Sequence, residues 1–460
     1  MMLEERIRTI LLEARDYARK KGLNTEFSFH RERSSLIRLG NSAIALSTSE
    51  ELTRLDVSVL SGRRVGDFTL TADINSLEQL KTALHQAEEN CRNGLEKDYD
   101  PIFGMVEETI DDTTGYDPAL ETISSQSKAE LCARVIKAVK PKGNYDFSGS
   151  WSSGSTEMFY ITTANDNEAY RKMTDGKLVL VLKERMRKWE LAVERSQKRA
   201  DEFSADDIAL EFETLLPIYE KNPGYKTATG TQRVLFGPQA IAELVSLCIW
   251  GGFLGRPYEE GRAFTSKNKP GDRLFSELVS IFDDPANPLV FGMPFDFSGK
   301  RRRLFKLVEK GVFAGVCYDS QTAAKYKRER TGHDLLNWNL VFLCGSGPGE
   351  LEAALRLADN ALYIPHLHYT HLPDPTKGLF TGSSRFNALL IRDGKFVAPI
   401  FSSRITDSIS NVFNNIVAVS SAAVTQNQSS TYERRAPEAM AVPTWLLCDN
   451  VRISDVADSF

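Results

Sequence analysis

Three of the six histidines lie in one short stretch, PHLHYTHL, residues 365–372. Imidazole is the commonest metal ligand in proteins, which raises the question of a zinc site. Residues two apart on a strand face the same side, so His366 and His368 could grip one ion. His371 follows beyond a bend expected at His371-Leu372-Pro373. A full site needs a third ligand and a carboxylate to orient a histidine, and Asp374 is the nearest. The competing reading is a strand whose histidines bond locally or line a partner surface.

Two other stretches carry chemistry in outline. LVFLCGSGPGELEAAL places Gly345, Gly347 and Gly349 between a strand and a helix, as a dinucleotide fingerprint does. The third glycine comes one residue early, Pro348 interrupts, and no acidic residue closes a following strand. A strand-to-helix turn that needs glycine is the better reading. SGKRRRLFKLVEKG and KYKRERTGH hold basic runs, Lys300–Arg303 and 325–333. Charge runs are usually solvated faces, and no aromatic residues interleave these to stack bases. The net charge is −5. Nucleic acid is therefore not an expected partner. Neither a G-x-S-x-G elbow nor an H-E-x-x-H occurs in the sequence.

The elements that must position these residues follow from length and periodicity. The 460 residues suggest two or three domains, and 42% apolar content suffices for sizeable cores. The charged N-terminus lacks the apolar core of a signal peptide, and no run reaches the roughly 18–20 apolar residues of a membrane span. Six scattered cysteines, none in C-x-x-C, read as reduced thiols of a cytoplasmic protein. Leu3, Ile7, Ile10, Leu11 and Ala14 predict a helix stopped at Gly22. TEFSFH predicts a half-buried strand, and RLDVSVLSGRRVGDFTL a hairpin turning at Ser61-Gly62. Ser76 with Gln79, and Ser127 with Glu130, predict capping boxes on either side of an acidic connector near 97–126. EMFYITT and KLVLVL predict strands, and a further helix starts near Ser204. KNPGYK, 221–226, is the strongest boundary. Beyond it come short strands and turns such as FSGK and RDGK. The expected fold is α+β, with mixed α/β units at 1–98 and 99–222 and a β-rich C-terminal domain at 223–460.

Several of these segments, taken in order, resemble the TldD/PmbA family of peptide-processing metallopeptidases, also called modulators of DNA gyrase. RERSSLIRLGNSAI through DVSVLSGRRVGDFTL is similar to its N-terminal strand and glycine hairpin. PFDFSGKRRRLFKLVEKGVFAGVCYDSQTAAKYKRERTGH and TGSSRFNALLIRDGKFVAPI resemble later motifs, including its T-G-H and its T-G-x-x-R hairpin. The TldD kind of subunit carries a zinc-binding H-E-x-x-x-H on a helix and a cysteine nearer the C-terminus. The TldE (PmbA) kind lacks them and pairs with the first. The corresponding helix here is GPQAIAELVSLCIWGGF, with Pro238 in its first turn. Ala242 and Leu247 stand at the two histidine positions, and only Glu243 remains of the motif. Neither replacement offers a lone pair to a metal. Residues 418–442 contain no cysteine, and Cys448 falls on what reads as the last strand.

The resemblance thus implies a TldE-type subunit with no cofactor on this chain and zinc on a TldD-type partner. The pair would degrade or mature unfolded peptide. The expected partner is that subunit or a second copy of the chain, with no membrane. His366, His368, Thr381 and Arg385 are the candidates to line the peptide cleft, Arg385 by gripping a carboxylate or carbonyl or else by a structural ion pair. The rival expectations are a self-sufficient metallopeptidase with metal at His366, His368 and His371, and a non-proteolytic binder of gyrase or a toxin–antitoxin system.

Overall fold

The computed structural model describes residues 4–333, 338–431 and 434–460. The apolar stripe at helical spacing becomes α1 (Glu5–Lys20), which buries Ile7, Ile10, Leu11 and Ala14; Leu3 lies outside the described residues. Gly22 ends the turn with φ of 71°, a conformation that glycine adopts without a Cβ clash. β1 (Asn24–Gly40), β2 (Ala43–Ser61) and β3 (Arg64–Thr71) follow. Ser61 still pairs with Arg64, so the turn is Gly62-Arg63, one residue later than expected. Ser76 caps α2 (Leu77–Asn93) by accepting the Gln79 N–H. Gln79 in turn accepts from Asn75 rather than from Ser76, so the box is only half reciprocal.

The expected connector contains structure of its own, β4 (Ile110–Asp112) and α3 (Pro118–Glu121). α4 (Ser125–Val139) is capped by Ser124, whose hydroxyl accepts the Ser127 N–H. Ser127 cannot be the cap, because it already lies within the first turn while Ser124 keeps extended dihedrals outside it. β5 (Tyr145–Thr162), β6 (Ala169–Glu184) and β7 (Glu190–Gln197) lead to α5 (Ala205–Lys221). A reciprocal Ser204–Asp207 capping box opens α5.

These strands form one seven-stranded sheet, ordered β3-β2-β1-β5-β6-β4, with β7 pairing β6. β1 and β5 stay in register from Glu26–Thr162 to Leu39–Gly149. Helices α1 and α2 pack on one half of the sheet, α4 and α5 on the other. The units expected at 1–98 and 99–222 therefore share this sheet, whose strands come from both sides of residue 98.

The chain beyond α5 builds two more sheets. In order come β8 (Gly230–Phe236), α6 (Pro238–Gly252), α7 (Gly255–Glu259), β9 (Ile281–Asp283), β10 (Phe305–Glu309) and β11 (Val312–Phe313). Next are α8 (Ser320–Tyr326), β12 (Leu340–Phe342), α9 (Leu351–Leu357), β13 (Ala361–Ile364), β14 (His366–Asp374) and β15 (Leu379–Arg385). The rest are β16 (Leu389–Arg392), β17 (Lys395–Pro399), β18 (Ser403–Ser408), α10 (Ile409–Asn414), β19 (Ile416–Val419), β20 (Ala423–Asn427), β21 (Ala439–Pro443) and β22 (Leu446–Val456). A nine-stranded sheet runs β14-β15-β18-β22-β8-β13-β16-β17, with β19 on β22. A six-stranded sheet runs β11-β10-β9-β12-β21-β20. Their shared core closes around α6, which is apolar nearly all round, as a helix covered on every side must be.

Side chains from the C-terminal unit lock this assembly to the first sheet. Arg435 is 2% exposed and donates from Nε and Nη2 to Asp175 on β6 at 2.7 and 3.0 Å. Its Nη1 donates to Ser152 on β5, its backbone N–H to Glu32 on β1, and its carbonyl meets the His30 ring. Asn427 adds bonds to Asp175 and Gly176. The basic runs are accounted for locally. Lys300 pairs with Glu107, Arg301 with Glu108 and Lys325 with Asp98. The acidic connector thus neutralises the basic stretch.

Arg435→Ala would leave the Asp175 carboxylate buried and unpaired, which costs about 3–5 kcal/mol. Urea unfolding followed by tryptophan fluorescence checks this: the expected result is a lower midpoint, whereas an unchanged midpoint would mean that the contact does not hold the units together.

Candidate functional site

The sheet arrangement brings the β6–β7 hairpin against β14 and β15. Two consecutive left-handed residues, Phe386 (φ 41°) and Asn387 (φ 52°), turn the chain after β15. The Asn387 amide then accepts from Ala192 N–H at 2.9 Å and donates to Ala192 C=O at 2.7 Å, so it completes the backbone of β7. Backbone conformations of this kind persist where surrounding contacts over-determine them.

Along β14 the register is His366–Arg385, His368–Ser383 and His371–Thr381. His366 and His368 share a face and both place their rings edge-on to Phe386, at 5.9 and 5.2 Å between centroids. The strand then breaks alternation at Tyr369, whose φ is 53°. This break comes earlier than the expected bend at 371–373, through which β14 continues to Asp374. His371 is exposed and pairs with Thr381, further along the edge. The structure therefore brings His366 and His368 together, but not His371. Asp374 is engaged with Thr376 and Lys377. Among the described residues, no group of three His, Cys, Asp or Glu side chains is placed to hold a metal.

Burial sets the charge state of the pair. It pushes the His366 imidazole down to about 4, against an ordinary 6.5. His368 is lowered too, first by burial and then by the neighbouring Arg385. Both rings are neutral at pH 7.

The positions that the resemblance matches to the helix motif are occupied by packing residues. Ala242 and Leu247 are buried in the core around α6. Glu243 reaches out of that core and accepts from Thr370 Oγ1 at 2.8 Å and from Gln239 Nε2 at 3.2 Å. Burial raises its pKa, and the Thr370 bond partly offsets this. An alanine methyl and a leucine side chain give a zinc ion no donor, so these residues do not fit the metal that the helix motif would hold. Cys448 is fully buried on β22, and burial drives its thiol well above the ordinary range.

A cavity of about 440 Å³ opens where the β6–β7 hairpin meets β14, β15 and β18. Of the four expected cleft residues, His368 and Arg385 line it. Arg385 lies 4.8 Å over the Phe386 ring and donates to Glu190 at 3.2 Å. His366 is buried behind the cavity wall. The Thr381 hydroxyl also lies behind, where it accepts from Arg404 at 3.2 Å. Sequence reasoning missed Arg404, Lys183 and Lys188, which also line the cavity. Their signal was weak, since single cations on separate strands form no motif.

The glycine stretch is structural. The Gly345 and Gly347 amides donate to Ser420 and Val419 carbonyls, so neither is free for phosphate. A Cβ on Gly347 would sit 2.5 Å from the Trp445 ring. Close packing is what requires glycine there.

An α+β chain with a helix-centred, two-sheet C-terminal unit and a cleft against an N-terminal sheet defines a known architecture. The PmbA/TldA metallopeptidase C-terminal domain matches residues 229–455. The chain belongs to the TldD/PmbA family. Its fold is similar to that of TldE from Thermococcus kodakarensis, with a TM-score of 0.84 and 18% identity over 97% of this chain and 100% of the other. It is also similar to a candidate modulator of a DNA gyrase from Thermotoga maritima, with a TM-score of 0.78 and 18% identity over 96% and 99% of the two chains. A protein so described from Bacteroides thetaiotaomicron gives 0.77 and 17%, over 98% and 100%. No curated protein matches the chain.

The buried histidine makes stability pH-dependent. His366 binds a proton near 6.5 when unfolded but only near 4 when folded, so its contribution is full above pH 6.5 and is lost as pH falls towards 4. His30, also lowered to about 4, acts in the same direction, whereas Glu26, raised to about 7, acts oppositely. In His366→Gln, the urea midpoint should fall less between pH 6.5 and 4.5 than in the parent chain. Parallel curves would contradict the burial of a neutral imidazole.

Proposed function

We propose that this chain is a TldE-type subunit that holds no family zinc, pairs with a metallated TldD-type subunit in the cytoplasm, and helps admit unfolded peptide to the joint active site. One observation carries the reading. The two positions that would present histidines to zinc are Ala242 and Leu247, both packed into the core around α6. Regaining a site would require donors where the helix has only methyl groups.

Two features support pairing and peptide capture. Residues 43–53 of β2 pair with β1 on one side and have no ladder partner on the other among the described residues. Ile44 and Leu46 there are 43% and 45% exposed. A long unpaired edge that exposes apolar residues is a liability unless another chain covers it, which favours a partner subunit. β14 is likewise an edge strand of its sheet, with the Leu367 N–H and C=O already bonded by Gln239 of α6. An extended peptide can add to such an edge by main-chain hydrogen bonds, independently of its sequence. Names given to two of the similar structures point to gyrase, but in the basic run that would favour such binding Lys300 and Arg301 are paired with Glu107 and Glu108. No helix among the described residues is long and apolar enough to cross a membrane.

The test is elemental analysis together with hydrolysis of denatured casein. The expected outcome is no stoichiometric zinc and no hydrolysis for the chain alone. Co-expression with a metallated family member should give about one zinc per heterodimer and peptide cleavage. Stoichiometric zinc in the lone chain, abolished by His366→Ala with His368→Ala, would overturn the reading and favour a relocated metal site.

A further inference from the structure

The cavity beside β14 has a charge that the cleft reading does not use. Four cations line it, Lys183, Lys188, Arg385 and Arg404, against the single acidic side chain of Glu190. The chain as a whole is net negative, at −5. Glu190 is shared by Lys183 and Arg385, at 3.3 and 3.2 Å. Lys188 and Arg404 have no carboxylate partner among the described residues. Thr381 holds one Arg404 nitrogen, and Phe386 lies under the Arg385 guanidinium. Both forks are thus oriented, with N–H groups left to give. Phe386, Ala388, Ile400 and Phe460 give an apolar part of the lining, beside the hydroxyl-bearing Ser383, Ser384 and Ser402. The volume, about 440 Å³, lies within the range of small-ligand sites, ~300–1,000 Å³.

We propose that this cavity binds the C-terminal carboxylate of an extended peptide whose last side chain is apolar. The proposal rests on the peptide-binding reading above and gives it a polarity. On the outer edge of β14 the Leu367 N–H and C=O are already bonded by the Gln239 side chain, so an added peptide would pair beyond Leu367, past His368 and Tyr369, which line the cavity. Its carboxylate would meet Arg404 and Lys188, with Arg385 as a third donor. Arginine pairs a planar carboxylate through two parallel N–H···O bonds, and the site is arranged for that geometry. A terminal phenyl or isobutyl group would occupy the apolar side.

The test uses the full chain and two fluorescein-labelled unstructured peptides that end in Phe, one with a free carboxylate and one with a C-terminal amide. Fluorescence anisotropy at low salt is expected to show the amide binding at least ~10-fold more weakly, the scale of one charge-assisted pair. Arg404→Gln and Lys188→Gln should each weaken the free-acid peptide ~5-fold or more and leave the amide unchanged. Lys188 is exposed, so its variant remains informative if the Arg404 variant folds poorly. Equal binding of acid and amide would overturn the carboxylate site and leave peptide binding standing. An acid preference that survives both variants would place the site elsewhere and also overturn the proposal. Binding of neither peptide would overturn the proposal and the peptide reading together.

Discussion

The arrangement depends on one buried ion pair. Arg435, from the loop before β21, reaches into the N-terminal sheet and meets Asp175 with both side chains essentially dry, at 2% and 1% exposure. A buried pair is no simple source of stability, because desolvation offsets most of the Coulomb attraction. Its effect is to fix geometry. An arginine fork has one good pose against a carboxylate, and Glu32, Ser152 and His30 hold the rest of the residue. Once Arg435 is seated, β20 lies against β7, and Asn427 bridges to Ser196 and Gly176. The β6–β7 hairpin is then set opposite β14 and β15. The cavity with Lys183, Glu190, His368 and Arg385 exists because two units from distant parts of the chain are pinned in this way.

The same economy explains α6. A helix enclosed by two sheets has little room for polar groups, and a metal motif on it must be served by ligands that the core supplies. Here the core has closed over positions 242 and 247 with apolar side chains. Glu243 survives because Thr370 and Gln239 satisfy it, not because a metal needs it. A carboxylate that is half-desolvated and hydrogen-bonded is stable as a packing feature. The fold keeps its frame without the metal chemistry. On the reading proposed above, this is the relation expected between a catalytic subunit and its counterpart, since function resides in sites carried by a fold.

Local elements were legible in the sequence to the extent that their signals were local. The stripe of α1, the start of α5 near Ser204 and the helix break at Asn-Pro-Gly after it follow from side chains within a few residues of one another. Ser127 was a misleading cap because Ser124, three residues earlier, offered the same hydroxyl outside the helix. The long pairing of β1 with β5 was not legible, since antiparallel register over more than a hundred residues of separation leaves no trace in spacing. The cavity was invisible for the same reason, as its cations come singly from β6, the β6–β7 turn, β15 and β18. The histidines were visible as a cluster, but not their burial, which leaves His366 inside the protein and His371 exposed further along the edge strand. The acidic connector and the basic run were each legible, but not their mutual neutralisation.

The central claim is that the pinned cleft between β6–β7 and β14–β15 is the peptide-binding surface. Hydrogen–deuterium exchange on the full chain, with and without excess unfolded peptide, tests it most directly. Slowed exchange confined to residues 183–197, 366–374 and 379–385 is the result the account predicts. Unchanged exchange there, with protection appearing on a different sheet edge, would contradict it.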